Sequence, residues 1–240
     1  MNVPPPAVLR IRVGLVATLI LTLAAAPLGA QTTLGLRGGL STATWSGDER
    51  GLHGREGGSR SGIVSGIDLG IPLGGMLDLR LGLGLAQKGG GTDPPPSITA
   101  GRSFLAATAE LDYLQLSTLL RVGTETNRGL LDLGILAGPY VAFNYSCEVL
   151  MRATHPPDGS GFRHMRIPPD VSASCSEADG TGVSSTDFGL ALGAAFDVKL
   201  HDSVALALDV IYGFGFTDID DFGTRNRHLA IQSGLVFVIG

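Results

Sequence analysis

From residue 33 onward the chain alternates apolar residues with small or charged ones in eight stretches. The clearest runs from Met76 to Lys88, with leucine at every odd position from 77 to 85 and Asp78, Arg80, Gly82, Gly84 and Ala86 between them. A period of two puts all the leucines on one face of a strand. The same parity recurs later. Phe188, Leu190, Leu192, Ala194, Phe196 and Val198 oppose Asp187, Gly189, Ala191, Gly193, Ala195, Asp197 and Lys199. Val204, Leu206, Leu208, Val210, Tyr212, Phe214 and Phe216 oppose Ala205, Ala207, Asp209, Gly213 and Gly215. The pattern predicts strands over 33–45, 61–72, 76–88, 104–122, 129–143, 185–199, 203–216 and 226–239. Each reaches the about 9–11 residues that a tilted membrane strand needs. In the fourth, Glu110 and Asp112 share the face of Leu114, Leu116, Thr118 and Leu120, so they must lie above hydrocarbon or a bulge must shift the register.

The connections alternate in length. Residues 73–75, 123–128 and 200–202 make short turns, while 46–60, 89–103, 144–184 and 217–225 are longer and rich in Gly, Pro, Ser and charge. Outer-membrane barrels put short turns in the periplasm and long loops outside. The expectation is an all-β, eight-stranded antiparallel up-and-down transmembrane β-barrel with both termini periplasmic. Its leucines would face lipid and its small and charged residues the lumen. Trp45, Phe104, Tyr140, Phe143, Phe188, Phe214 and Phe216 fall toward the long-loop ends, as an interfacial girdle or as packing under the loops. A soluble, exported lipocalin-like barrel holding an apolar ligand would reverse the faces. It would leave mostly Gly and Ala to face water.

Composition agrees with a lipid-facing exterior. Charged residues make up 16% of the chain, against about 25% in soluble domains. Thirty-six glycines suit a narrow lumen. Arg10 and Arg12 precede an apolar run from Val13 to Ala26, followed by Leu28-Gly29-Ala30, so residues 1–30 read as a signal peptide and 31–240 as the barrel domain. Removing them takes away those two arginines and no acid. Fifteen of the 17 bases and all 22 acids remain, a formal charge of −7. Such a balance argues against a nucleic-acid partner. The expected partner is outer-membrane lipid, and the expected state a monomer. Cys147 and Cys175, in an oxidising compartment, are expected to form a disulfide.

By parity, Arg37, Asp68, Asp78, Arg80, Arg121, Asp132, Asp187, Asp197, Lys199 and Asp209 face the lumen. Charges in so narrow a space must pair. The expected result is an ion-pair plug, with a narrow pore as the rival. No nucleophile elbow, phosphate loop or zinc helix motif occurs. No catalytic residue, metal or cofactor is expected, and a rim-type membrane enzyme is the minor alternative. His155 and His164 match no common metal spacing. The 144–184 loop carries Arg152, Arg163 and Arg166, whose guanidinium groups suit phosphates, and is the expected surface-binding element.

Six segments in order resemble the PorT-like outer-membrane β-barrel family of Gram-negative bacteria. They are Gly35-Leu36-Arg37-Gly38-Gly39-Leu40-Ser41, Leu81-Gly82-Leu83-Gly84-Leu85-Ala86-Gln87-Lys88-Gly89, and Leu111-Asp112-Tyr113-Leu114-Gln115-Leu116. Further along come Ala137-Gly138-Pro139-Tyr140-Val141, Asp187-Phe188-Gly189-Leu190-Ala191-Leu192-Gly193 and Arg225-Asn226-Arg227. Ser117 departs from the family pattern, where proline is frequent. The resemblance implies an eight-stranded outer-membrane barrel and no single activity.

Overall fold

A computed structural model describes residues 32–46, 57–92, 104–126, 130–154, 170–175, 183–219 and 223–239. The strands are β1 (Thr33–Ser46), β2 (Gly57–Gly74), β3 (Leu77–Thr92), β4 (Phe104–Thr126), β5 (Leu131–Thr154), β6 (Asp170–Ser174), β7 (Thr186–His201), β8 (Val204–Gly215) and β9 (Arg225–Val238). All pairings are antiparallel. The hydrogen-bonded order is β4-β3-β2-β1-β9-β8-β7-β5-β6, and β4 pairs with β5 to shut the ring. The wall is therefore a closed barrel of eight strands, with β6 laid against β5 outside the cylinder. Closure leaves the wall no unpaired edge. Among the described residues no helix is long and apolar enough to cross a membrane.

The leucine parity survives in three dimensions. Leu36, Leu40, Ile63, Ile67, Leu77, Leu83, Leu85, Leu192, Leu206, Leu208, Leu229, Ile231 and Leu235 are exposed on the outside. Arg37, Asp68, Arg80, Asp187 and Asp209 are buried within. The lipocalin-like alternative is thereby overturned, because apolar residues fill the outer surface and ionic residues the centre. A period of two leaves no intermediate arrangement. The turn between β2 and β3 uses Gly74 and Gly75 at φ values of 111° and 64°, which residues with a Cβ rarely adopt.

Several ends differ from the expected ones, all for local reasons. β5 does not stop at 143 but runs to Thr154, still paired with β4, and β6 adds to its other edge, so residues 144–154 and 170–174 of the expected 144–184 loop are strand, while 155–169 and 176–182 lie outside the described residues. The reason is a bulge. Asp112 pairs with Ser146 but Tyr113 with Asn144, leaving Tyr145 unmatched and exposed. The extra residue flips the parity. Cys147 and Val149 beyond it point inward onto the core. In the sequence that flip looks like the end of alternation. β4 likewise continues through the expected turn to Thr126.

Glu110 and Asp112 do face outward; the bulge beside them is in β5 and leaves the parity of β4 unchanged, and an ion pair compensates their charge. The bulge falls beside Asp112, and Arg60 of β2 reaches Glu110 at 3.0 Å and Asp112 at 3.7 Å. Two expected girdle members turn inward instead. Tyr140 is buried in the lumen and Trp45 packs on the same cluster, since both occupy inward positions of their strands. Phe143, Phe188 and Phe216 remain exposed outside. Cys147 and Cys175 are bonded, with Cα atoms 5.5 Å apart, and Cys175 N–H also donates to the Cys147 carbonyl at 3.2 Å.

Two outcomes are expected. Leu83→Arg should cost about 2–4 kcal/mol, as for a basic residue near the bilayer midplane. Urea unfolding in lipid vesicles, read by heat-modifiable gel migration, checks this, and a soluble barrel would tolerate the change on its outer face. Trypsin cleavage after Arg163 or Arg166 should leave one denatured species on a non-reducing gel and two fragments after reduction. Two fragments without reductant would mean that the thiols are free.

Candidate functional site

The lumen is filled in tiers, each built from inward positions of several strands. Nearest the short turns, Arg121 of β4 reaches Asp78 of β3 at 3.0 Å, Asp132 of β5 at 2.9 Å and Asp197 of β7 at 3.2 Å. Asp132 and Asp197 are direct cross-strand partners, so one guanidinium holds apart two carboxylates that would otherwise repel. Room for it comes from the absence of a side chain at Gly134, where a Cβ would lie 2.8 Å from Arg121 Nε. This tier borders a vestibule of about 510 Å³ at the short-turn end.

The middle tier closes the vestibule. Arg37 of β1 donates to Asp68 of β2 at 2.6 Å and reaches Asp209 of β8 at 2.7 Å. Arg80 of β3 reaches the same Asp209 oxygen at 2.7 Å, and Asp68 at 3.7 Å. Two guanidinium groups and two carboxylates thus form a neutral, buried cluster. Buried ions are tolerable on such terms: opposite charge in contact and forked donors spread over several oxygens. A small chamber of about 90 Å³ lies beyond, with Gln115, Ser117, His228 and Gln232 among its lining.

The third tier was not among the sequence expectations, apart from Asp187. Lys88 of β3, fully buried, donates to Asp187 of β7 at 3.1 Å. Its ammonium lies 4.3 Å from the ring centroid of Tyr140 and 5.1 Å from that of Tyr113. Such aromatic faces attract a cation. Tyr140 Oη and Asn226 Nδ2 donate to Asp187 at 3.4 and 3.3 Å, and Asn226 also donates to Tyr113 Oη. His228 packs edge-on against Tyr140 at 5.8 Å and needs Gly213 opposite, where a Cβ would collide with its ring. Lys88 shares its parity with Asp78 and Arg80. It lay at an expected strand end, where a lysine reads as part of a loop. β3 in fact continues to Thr92.

Above this tier the cap is apolar. Leu111, Tyr113, Tyr140 and Ala142 pack with Ile219 of the β8–β9 connection, and Trp45, Cys147 and Val183 lie against them. Backbone bonds tie the cap together: Ser184 N–H to Ile219 O at 2.9 Å, and Ile219 N–H to Thr224 O at 2.7 Å.

Of the expected lumen charges, Arg37, Asp68, Asp78, Arg80, Arg121, Asp132, Asp187, Asp197 and Asp209 meet in these tiers. Lys199 does not. It lies near the turn into β8, half exposed, and pairs with Asp202 at 3.5 Å. Its parity is inward, but it lies too near the end of its strand to reach the network. Arg152 belongs to the β5 backbone opposite Asp170. Arg163, Arg166, His155, His164 and the expected signal peptide, residues 1–30, lie outside the described residues. Among the described residues no set of His, Cys, Asp and Glu could hold a metal ion.

Among solved structures, Ail, the attachment invasion locus protein of Yersinia pestis, in complex with the heparin analogue sucrose octasulfate, is 12% identical with a TM-score of 0.42. The match covers 86% of this chain and 99% of that chain. Neisserial surface protein A is 12% identical with a TM-score of 0.42, covering 86% and 97%. The outer membrane protease OmpT of Escherichia coli is 8% identical with a TM-score of 0.33, covering 87% and 97%. None of the three carries an activity or a ligand over to this chain. No curated protein matches. Residues 29–221 match the outer membrane protein beta-barrel domain, and this chain, an outer-membrane barrel with an ionic lumen, belongs to that family.

Proposed function

We propose that this protein is a plugged, monomeric, non-enzymatic barrel of the PorT-like kind that displays the β5–β6 arm at the cell surface for binding. The observation that carries the reading is the pair of sealed tiers. A solute in the vestibule meets Arg37, Arg80, Asp68 and Asp209 joined to one another, and then Lys88 on Asp187. Passage would require separating buried ion pairs, each costing several kcal/mol. Those carboxylates are engaged by bases, which leaves them poorly disposed to acid–base catalysis.

The orientation belongs to the same proposal. Short turns and both termini face the periplasm, residues 1–30 are removed on export, and the long connections face outside. The arm projects beyond the wall, clamped by Cys147–Cys175. In sequence, Arg152 of β5 is followed by Arg163 and Arg166 in the connection to β6, a basic set suited to phosphate on a partner.

In planar bilayers the purified barrel should give no steady channel openings, and sustained unitary conductance would overturn the plug. Lys88→Met should cost about 3–5 kcal/mol, because it leaves Asp187 charged and unpaired. Adding Asp187→Asn should recover much of that loss. Guanidinium unfolding midpoints of the single and double variants in detergent check both.

A further inference from the structure

Among the described residues, positive charge is unevenly spread around the long-loop rim. In the β2–β4 sector Arg60 is cancelled by Glu110 and Asp112. The β9 sector is different. Arg225 and Arg227 are two residues apart and share the outward face, while Asn226 and His228, on the opposite face, are buried in the lumen. Arg227 Nε donates to Ser46 Oγ at 2.8 Å, and its guanidinium lies 5.5 Å from the ring centroid of Phe214. These contacts fix the fork without using its terminal amino groups. Among the described residues no carboxylate pairs with Arg227. Arg225 contacts Asp218 at 2.8 Å, and both are half exposed.

Directly beside this pair is the apolar exterior. Phe214 is the cross-strand partner of Arg227. Phe188 and Phe216, both about half exposed, have ring centroids 6.2 Å apart, and Leu229 continues the β9 face toward the membrane. A guanidinium pair above an aromatic belt stands at the depth where lipid phosphates lie. A forked, uncancelled guanidinium is the group best matched to phosphate oxygens.

We propose that Arg227, helped by Arg225, binds the phosphorylated headgroup of an outer-leaflet lipid, whose acyl chains lie along Phe214, Phe216 and Leu229. The assignment to the outer leaflet rests on the orientation proposed above. Protease digestion of intact cells tests that orientation separately from the site.

The site is tested by native mass spectrometry of the full chain, released from detergent micelles and titrated with bisphosphorylated lipid A. The wild type should hold the lipid, and R225Q/R227Q should weaken it by about tenfold through loss of charge-assisted hydrogen bonds. R60Q should leave binding unchanged. D218N, which frees Arg225, should strengthen it about twofold to threefold. Wild-type binding by R225Q/R227Q overturns the proposal, as does equal binding of dephosphorylated lipid A. Displacement by equimolar inorganic phosphate would mean a free-anion site and also overturns it. Should R225Q/R227Q lose heat-modifiable migration and so fail to fold, D218N decides: tighter binding supports the site, and unchanged binding refutes it.

Discussion

Every charge enclosed by this cylinder must find its counterion within the lumen, on a neighbouring strand or across the ring, because neither lipid outside nor water inside can solvate it fully. That requirement organises the rest. Arg121 ties together β3, β4, β5 and β7. Asp209 of β8 receives Arg37 of β1, two strands away, and Arg80 of β3 from the other side of the ring. Arg80 and Asp209 are 129 residues apart, so their bond exists only when the barrel has closed. Breaking such a pair leaves a buried charge uncompensated, so ring closure and ion pairing support one another. The core of this protein is ionic where that of a soluble domain is greasy, and the greasy residues serve as the outer skin.

The tiers also explain why glycine is so abundant on the inward faces. A long side chain lying along the inner wall needs space on the neighbouring strand. Gly134 beside Arg121 and Gly213 beside His228 supply it. The interior is thus filled by a few long polar side chains set against bare backbone, which matches the limited width of an eight-stranded ring.

The wall is not uniform in height. β5 takes part in the ring through its first half, against β7, and in the projecting arm through its second, against β6. The bulge at Tyr145 marks the change of role. Below it the inward residues are Leu136, Tyr140 and Ala142, which fill the lumen. Beyond it the buried positions are odd-numbered: Cys147 packs on the core cluster and Val149 is buried. One inserted residue therefore reverses which face of β5 turns inward, and the disulfide ties β5 to Cys175 just beyond β6.

The alternation of leucine with glycine and charge was enough to determine the strand count of the ring, the face turned to lipid and most of the enclosed charges. A period of two is a local property, and a one-residue error would reverse every side chain. It could not reveal the pairing partners. Which aspartate Arg121 or Lys88 meets depends on register and on the curvature of the closed ring. Nor could it reveal where parity is interrupted, since a bulge is recognised only against the neighbouring strand. For that reason the β5–β6 strands read as a loop, whereas Lys88, Trp45 and Tyr140 hold inward parity in the sequence itself, near expected strand ends where parity alone does not show whether the lumen continues. These positions were decided by which side chains the closed ring could bring within bonding distance, and that is a property of the tertiary structure alone.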